Sequence, residues 1–211
     1  MKKLHIAIFV VLLILILDQV LKIWIKTHFV MGEEFSVFGD WFYIHFTENN
    51  GMAFGLEFAG KFGKILLSLL RIIAVIGIGW YIYILCKKNV HIGLIISAAF
   101  IWAGAFGNII DSAFYGLIFD ESNMKVATMF PEGGGYATFL HGRVVDMFYF
   151  PIIEGHFPSW FPFWANEPFT FFRPVFNVAD SSITIGVALI IIFQQKFFAK
   201  EKSVVKESEI Q

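Results

Sequence analysis

The chain has 211 residues, of which 57% are hydrophobic, 18% aromatic and only 16% charged. Soluble domains carry about 25% charged residues, so this balance excludes an ordinary soluble domain and points to an integral membrane protein. A formal net charge of -1 gives no basic field for nucleic acid, and one cysteine, Cys86, excludes an internal disulfide.

Met1-Lys2-Lys3 and the apolar stretch behind it look like a secretory signal peptide. The apolar pattern runs on over residues 4–25, however, which is long enough to span a bilayer, and no small-residue cleavage site follows. A retained first transmembrane helix is expected there. Asp18 and Lys22 share one of its faces, most simply as an intrahelical pair near the interface. Residues 27–60 are polar and aromatic. Phe42-Tyr43-Ile44-His45-Phe46-Thr47 has strand-like residues and Asn49-Asn50-Gly51 is a turn signal, so a small β-like segment on the membrane surface is expected. Residues 65–85 form a second span with Arg71 as its only charge, and residues 92–118 a third. The third carries Gly104, Gly107, Asn108 and Asp111 toward its far end, where small residues allow close helix approach. Residues 119–173 form a long connection rich in Pro, Phe and Trp, suited to the headgroup level. Residues 175–198 form a fourth span, and the charged tail 199–211 is expected to be disordered.

The expected architecture is one membrane domain over residues 1–211. It is an all-α bundle of four transmembrane helices with a small outer β-like segment and a long outer loop. Lys2, Lys3, Lys87, Lys88, Lys196, Lys200, Lys202 and Lys206 fall on one side of it. By the positive-inside rule both termini are cytoplasmic. Asp18, Asp111 and Asp180 then lie toward the outer ends of their spans, and Asp146 lies in the outer loop close enough to dock at their level. Acids in a bilayer are costly and mark function.

Asp146 and Asp180 are the candidate pair. Two carboxyls held close share a proton, and the pair can activate water and polarise a carbonyl without metal or covalent intermediate. Plainer readings exist for each acid. Asp180 suits a helix N-terminus, Asp146 an ordinary loop acid, and Asp111 with Asn108 a structural pair. Cys86 reads as packing, and His45, His141 and His156 match no metal-ligand spacing. At the level of function, a proton-coupled transporter or a scaffold glued by polar residues would also use intramembrane acids. The clustering at one face and the lack of an internal repeat favour hydrolysis of a peptide bond by the acid pair.

Five stretches, in order, resemble motifs of the bacterial lipoprotein signal peptidase (signal peptidase II) family. They are Asp18-Gln19 with Lys22, Asn49-Asn50-Gly51-Met52-Ala53-Phe54, Gly107-Asn108-Ile109-Ile110-Asp111, Val144-Val145-Asp146, and Phe176-Asn177-Val178-Ala179-Asp180. The resemblance covers nearly the whole chain. It implies a four-span aspartyl endopeptidase of the bacterial inner membrane, with no cofactor, that removes the signal peptide from prolipoproteins before a diacylglyceryl-cysteine. It implies Asp146 and Asp180 as the dyad. Asn49, Gly51, Asn108, Asp111 and Asn177 would bind substrate or support the dyad, and Asp18 with Lys22 would be structural. Partners would be the prolipoprotein and membrane lipid, with the enzyme a monomer. One departure is Ser112, where the family usually has Arg, so the charge balancing Asp111 is expected to be missing or to be supplied elsewhere, by Arg143 or Arg173. Residues 119–142 and 150–172 are also longer than usual.

Overall fold

A chain in hydrocarbon must satisfy its backbone groups internally, which forces long apolar runs into helices even when they are rich in Ile and Val. Helix α1 spans Lys2–His28, without Gly or Pro, and α2 spans Gly60–Lys87. Helix α3 spans Ile92–Ile110, and its first turn is capped by the His91 side chain, which accepts from the Gly93 N–H. It runs on through a π-helical turn, Asp111–Tyr115, into the short α4, Gly116–Ile118. In this computed structural model, which describes residues 2–50, 60–88, 90–171 and 173–199, three helical stretches are long and apolar enough to cross a membrane. They are Lys2–His28, Ile65–Lys87 and Ile92–Ile118. Helix α5, Val178–Ile192, is apolar but shorter at 15 residues, and α6, Gln194–Phe197, follows it. Residues 51–54 of the turn motif, Gly51 included, and residues 200–211 of the tail lie outside the described residues.

Helix α3 is the central element, in contact with α1, α2 and α5. Its glycines set how closely α5 and α1 approach it. A Cβ at Gly104 would sit 2.1 Å from the Ala179 carbonyl oxygen, and one at Gly107 would sit 2.8 Å from Asp18 Oδ2. Gly186 does the same from the α5 side, 2.6 Å from the Ser97 carbonyl oxygen. Phe9, Ile16 and Val20 on α1, and Ile73, Ile76 and Trp80 on α2, turn outward.

The connection between α4 and α5 is more ordered than a loop. Strand β2, Phe42–Asn49, covers the stretch read as strand-like, and pairs with β1, Glu34–Phe38, across a turn at residues 39–41. β2 in turn pairs antiparallel with β3, Val144–Tyr149. Two further strands, β4 (Ile153–His156) and β5 (Pro168–Phe171), form a separate hairpin. β6, Val175–Phe176, then closes a four-stranded sheet of order β1-β2-β3-β6. Asp146 therefore stands on a central strand, not in a loop. β3 is hidden from a period-two reading because Val144 through Met147 are buried on both faces, so no polar alternation marks it. The fold is a helical membrane bundle with a small sheet at one end, not an all-α one. Ile25, Phe46, Tyr115, Phe119, Val145 and Met147 form the core where sheet and bundle meet.

Candidate active site

Asp18, Lys22 and Asp111 are each fully buried. Lys22 Nζ lies 2.9 Å from Asp18 Oδ2 and 2.8 Å from Asp111 Oδ2, and it donates to Asn108 Oδ1 at 2.9 Å. The counter-charge for Asp111 is therefore Lys22. Arg143 instead holds Glu121 at 2.8 and 3.1 Å and Glu48 at 3.2 Å. Arg173 lines a polar cavity of about 480 Å³ with Glu34, Tyr43, His45 and Tyr149. Ser112, where a cation was expected, turns its hydroxyl to the Asn108 carbonyl at 3.0 Å. The Asp18–Lys22 pair is thus part of the bundle core and not an interfacial pair. Gln19 completes the layer, its Nε2 donating to Asp111 Oδ1 at 3.0 Å and its Oε1 accepting from Tyr115 at 3.1 Å. Among the described residues no buried side-chain nitrogen or oxygen lacks a partner.

This layer positions the next one. Asp18 Oδ1 accepts from the Ala179 N–H at 2.9 Å, fixing the first turn of α5. Asp111 Oδ2 accepts from the Val145 N–H at 3.3 Å, fixing β3 one residue before Asp146. The acids on α1 and at the end of α3 therefore each grip the backbone beside one of the candidate carboxyls.

Asn177 joins the two. It is the N-cap of α5, and its Oδ1 accepts from the Asp180 N–H at 2.9 Å. Asp180 returns the bond, its Oδ2 accepting from the Asn177 N–H at 3.4 Å, which completes a capping box. The Asn177 Nδ2 points the other way and donates to Asp146 Oδ1 at 2.8 Å. Asn49 Nδ2, at the end of β2, donates to Asp146 Oδ2. Asn108 Nδ2 donates to Asp180 Oδ1 at 2.9 Å. Asp146 is 3% exposed, and burial, reinforced by the charge of Asp180, pushes its carboxyl up to about 8. Asp146 is thus a carboxylic acid that holds its proton at neutral pH beside a second carboxyl.

A further buried group supports the sheet side. Lys26 Nζ, fully buried, meets Glu48 and donates to Ser122 Oγ at 2.7 Å, while Arg143 braces the same Glu48. Arg143 holds the Glu121 carboxyl below its usual range. Glu48 adjoins Asn49, so this network fixes the strand that presents Asn49 to Asp146. It was not singled out from the sequence. The available signal is that Asp18, Lys22 and Lys26 recur every four residues, one polar stripe on one helix face. Arg71, on α2, also acts electrostatically on both Asp180 and Asp146.

The chain matches the family described as Signal peptidase (SPase) II over residues 10–196. It is 54% identical to a lipoprotein signal peptidase of Porphyromonas gingivalis, over 86% of this chain and 79% of the relative. It is 37% identical to one from Amoebophilus asiaticus, over 95% and 84%. It is also similar to a bacterial membrane enzyme solved by the in meso method at 1.9 Å resolution. That likeness has a TM-score of 0.59 at 28% identity, covering 91% of this chain and 94% of that one. A second such structure, at 2.3 Å, gives a TM-score of 0.58 at 26% identity.

Proposed function

Since the chain belongs to the signal peptidase II family, we propose that it is an aspartyl endopeptidase cutting diacylglyceryl-modified prolipoproteins before the lipidated cysteine, with Asp146 and Asp180 as its dyad. The observation that carries this reading is Asn177, whose one side chain donates to Asp146 and caps the helix turn bearing Asp180. The Asp146 carboxyl and the helix turn that bears Asp180 are held to one side chain, and burial, which raises the proton affinity of Asp146, suits it to the acid role.

In this reading a water lies between the carboxyls. Asp180 takes a proton from it as its oxygen attacks the scissile carbonyl carbon, and Asp146 gives its proton to the carbonyl oxygen. The resulting gem-diol returns a proton to Asp146. Asp180 passes its own to the leaving nitrogen as the C–N bond breaks. Asn49, Asn108 and Asn177 hold the carboxyls, and the family resemblance adds Gly51 as a substrate-binding residue. Asp111, with Asp18 and Lys22, supports the dyad from below. The enzyme acts as a four-span monomer of the bacterial inner membrane, both termini cytoplasmic, with α5 and α6 together forming the fourth crossing. The dyad then lies toward the extracytoplasmic face, where a lipidated cysteine is held.

The test is cleavage of a diacylglyceryl-modified prolipoprotein by purified protein in detergent, with EDTA present. Asp146→Asn and Asp180→Asn should each lose about 10³-fold or more in rate while remaining inserted and folded. Equal cleavage by all three proteins, or none by folded wild type, would refute the assignment.

A further inference from the structure

Helix α2 carries a buried stripe at three- and four-residue spacing. Ser68, Val75, Ile82 and Leu85 are buried, with Arg71 and Ile78 half-buried between them. Leu70, Ile73, Ile76 and Trp80 are 55–67% exposed and face the opposite way. Arg71 therefore lies on the side of α2 turned toward the bundle. Its depth is fixed by a helix-to-helix contact, Trp102 Nε1 donating to the Val75 carbonyl at 2.8 Å, with Gly79 leaving room for the indole. From Val75 to Arg71 is about 6 Å along α2 toward the sheet, and from Trp102 to Asn108 is about 9 Å along α3 in the same direction. Arg71 thus sits within one helical turn of the depth of Asn108, which holds Asp180. The charges it senses are Asp180 from α5 and Asp146 from β3. Lys22, Asp18 and Asp111 form their own group on the α1 side of Asn108.

The amides around the dyad are occupied. Asn49 and Asn177 donate to Asp146, and Asn108 donates to Asp180. A peptide strand unwound in this setting presents backbone carbonyls with little water to serve them. A guanidinium carries five N–H donors, so it can serve the protein and a ligand carbonyl together. Its charge also offsets the single negative charge of a dyad that shares one proton.

We infer that Arg71 is a substrate-contacting residue, whose guanidinium donates to a backbone carbonyl of the bound signal peptide beside the scissile bond from the α2 side of the dyad. This rests on the dyad reading above.

The experiment measures kcat, KM and the pH–rate profile on the diacylglyceryl-modified prolipoprotein for wild type, Arg71→Gln, Arg71→Lys and Asp146→Asn. Arg71→Gln should lose about 10–100-fold in kcat. The acid limb of its profile should move to higher pH, because the ionised carboxyl loses a nearby cation. Arg71→Lys should keep the acid limb near that of wild type and recover part of kcat. A wild-type kcat and profile for Arg71→Gln overturns the inference, as does an equal loss in both variants with the acid limb unmoved. If Arg71→Gln does not fold, Arg71→Lys decides alone: lowered kcat with an unmoved acid limb supports the contact, and unchanged kcat overturns it. Activity in Asp146→Asn would sink the dyad reading itself, separately from either Arg71 result.

Discussion

Asn177 caps α5 with one end of its amide and with the other serves Asp146, the Val145 carbonyl and Asn108 Oδ1, roles that substitution can separate. Its Oδ1 caps α5, and its Nδ2 reaches Asp146. Serine caps helices well, so Asn177→Ser should keep the cap and cost about 1–3 kcal/mol in thermal unfolding for the buried acceptors it no longer serves, and lose activity because Asp146 has lost a donor. Asn177→Ala should lose both. Asp146 makes a prediction in pH. Its carboxyl is raised to about 8, so its proton is present at neutral pH and departs as pH rises through that value. Cleavage should therefore fall above about pH 8, on a limb that a rate–pH profile would show. The linked stability has the same sign: the folded protein binds this proton more tightly than the unfolded chain, so stability is complete at low pH and declines as pH rises through about 8. Thermal midpoints in detergent should drop from pH 6 to pH 9 in wild type and drop less in Asp146→Asn.

The elements are held by buried charge and by glycine. Lys22 faces two carboxyls with all three groups out of solvent. Lys22→Met leaves Asp18 and Asp111 buried without their cation, a change expected to cost about 3–5 kcal/mol and to lower the yield of folded protein. Gly104→Val should push α5 off α3, since its first side-chain carbon would already meet the Ala179 carbonyl oxygen. Cleavage should fall sharply in that variant while membrane insertion persists. The helices, the Asp18–Lys22 spacing and the strand-like stretch of β2 were legible in the sequence because apolar length, four-residue spacing and β-branched and aromatic composition are local signals, whereas β1 was not marked. β3 was not, because a strand buried on both faces has no alternation, and Asp146 accordingly read as a loop residue. The partner of Asp111 was also misjudged. The choice between Lys22, Arg143 and Arg173 depends on which helices touch, and spacing along the chain does not carry that.

At the scale of the molecule, the β4–β5 hairpin stands outside the four-stranded sheet that holds Asp146. Its exposed Trp160, Phe163 and Trp164 pack on Phe157 and Phe161 or on one another, not on the dyad. Replacing residues 152–171 with a short turn should therefore leave the thermal midpoint within a few degrees of wild type, a comparison that calorimetry in detergent can make. The site itself is assembled from the two ends of the chain. The Asp18 carboxylate, made early, holds the Ala179 N–H, made near the last turns of the protein. A ribosome that has finished α1, α3 and β3 has thus made Asp18, Asn108, Asp111 and Asp146 but not yet Asn177 or Asp180. On the proposed reading, Asp146 and Asp180 come together only when α5 enters the bundle and its first turn is caught by Asp18. The order of synthesis thus keeps the two carboxyls apart until α5 has been made.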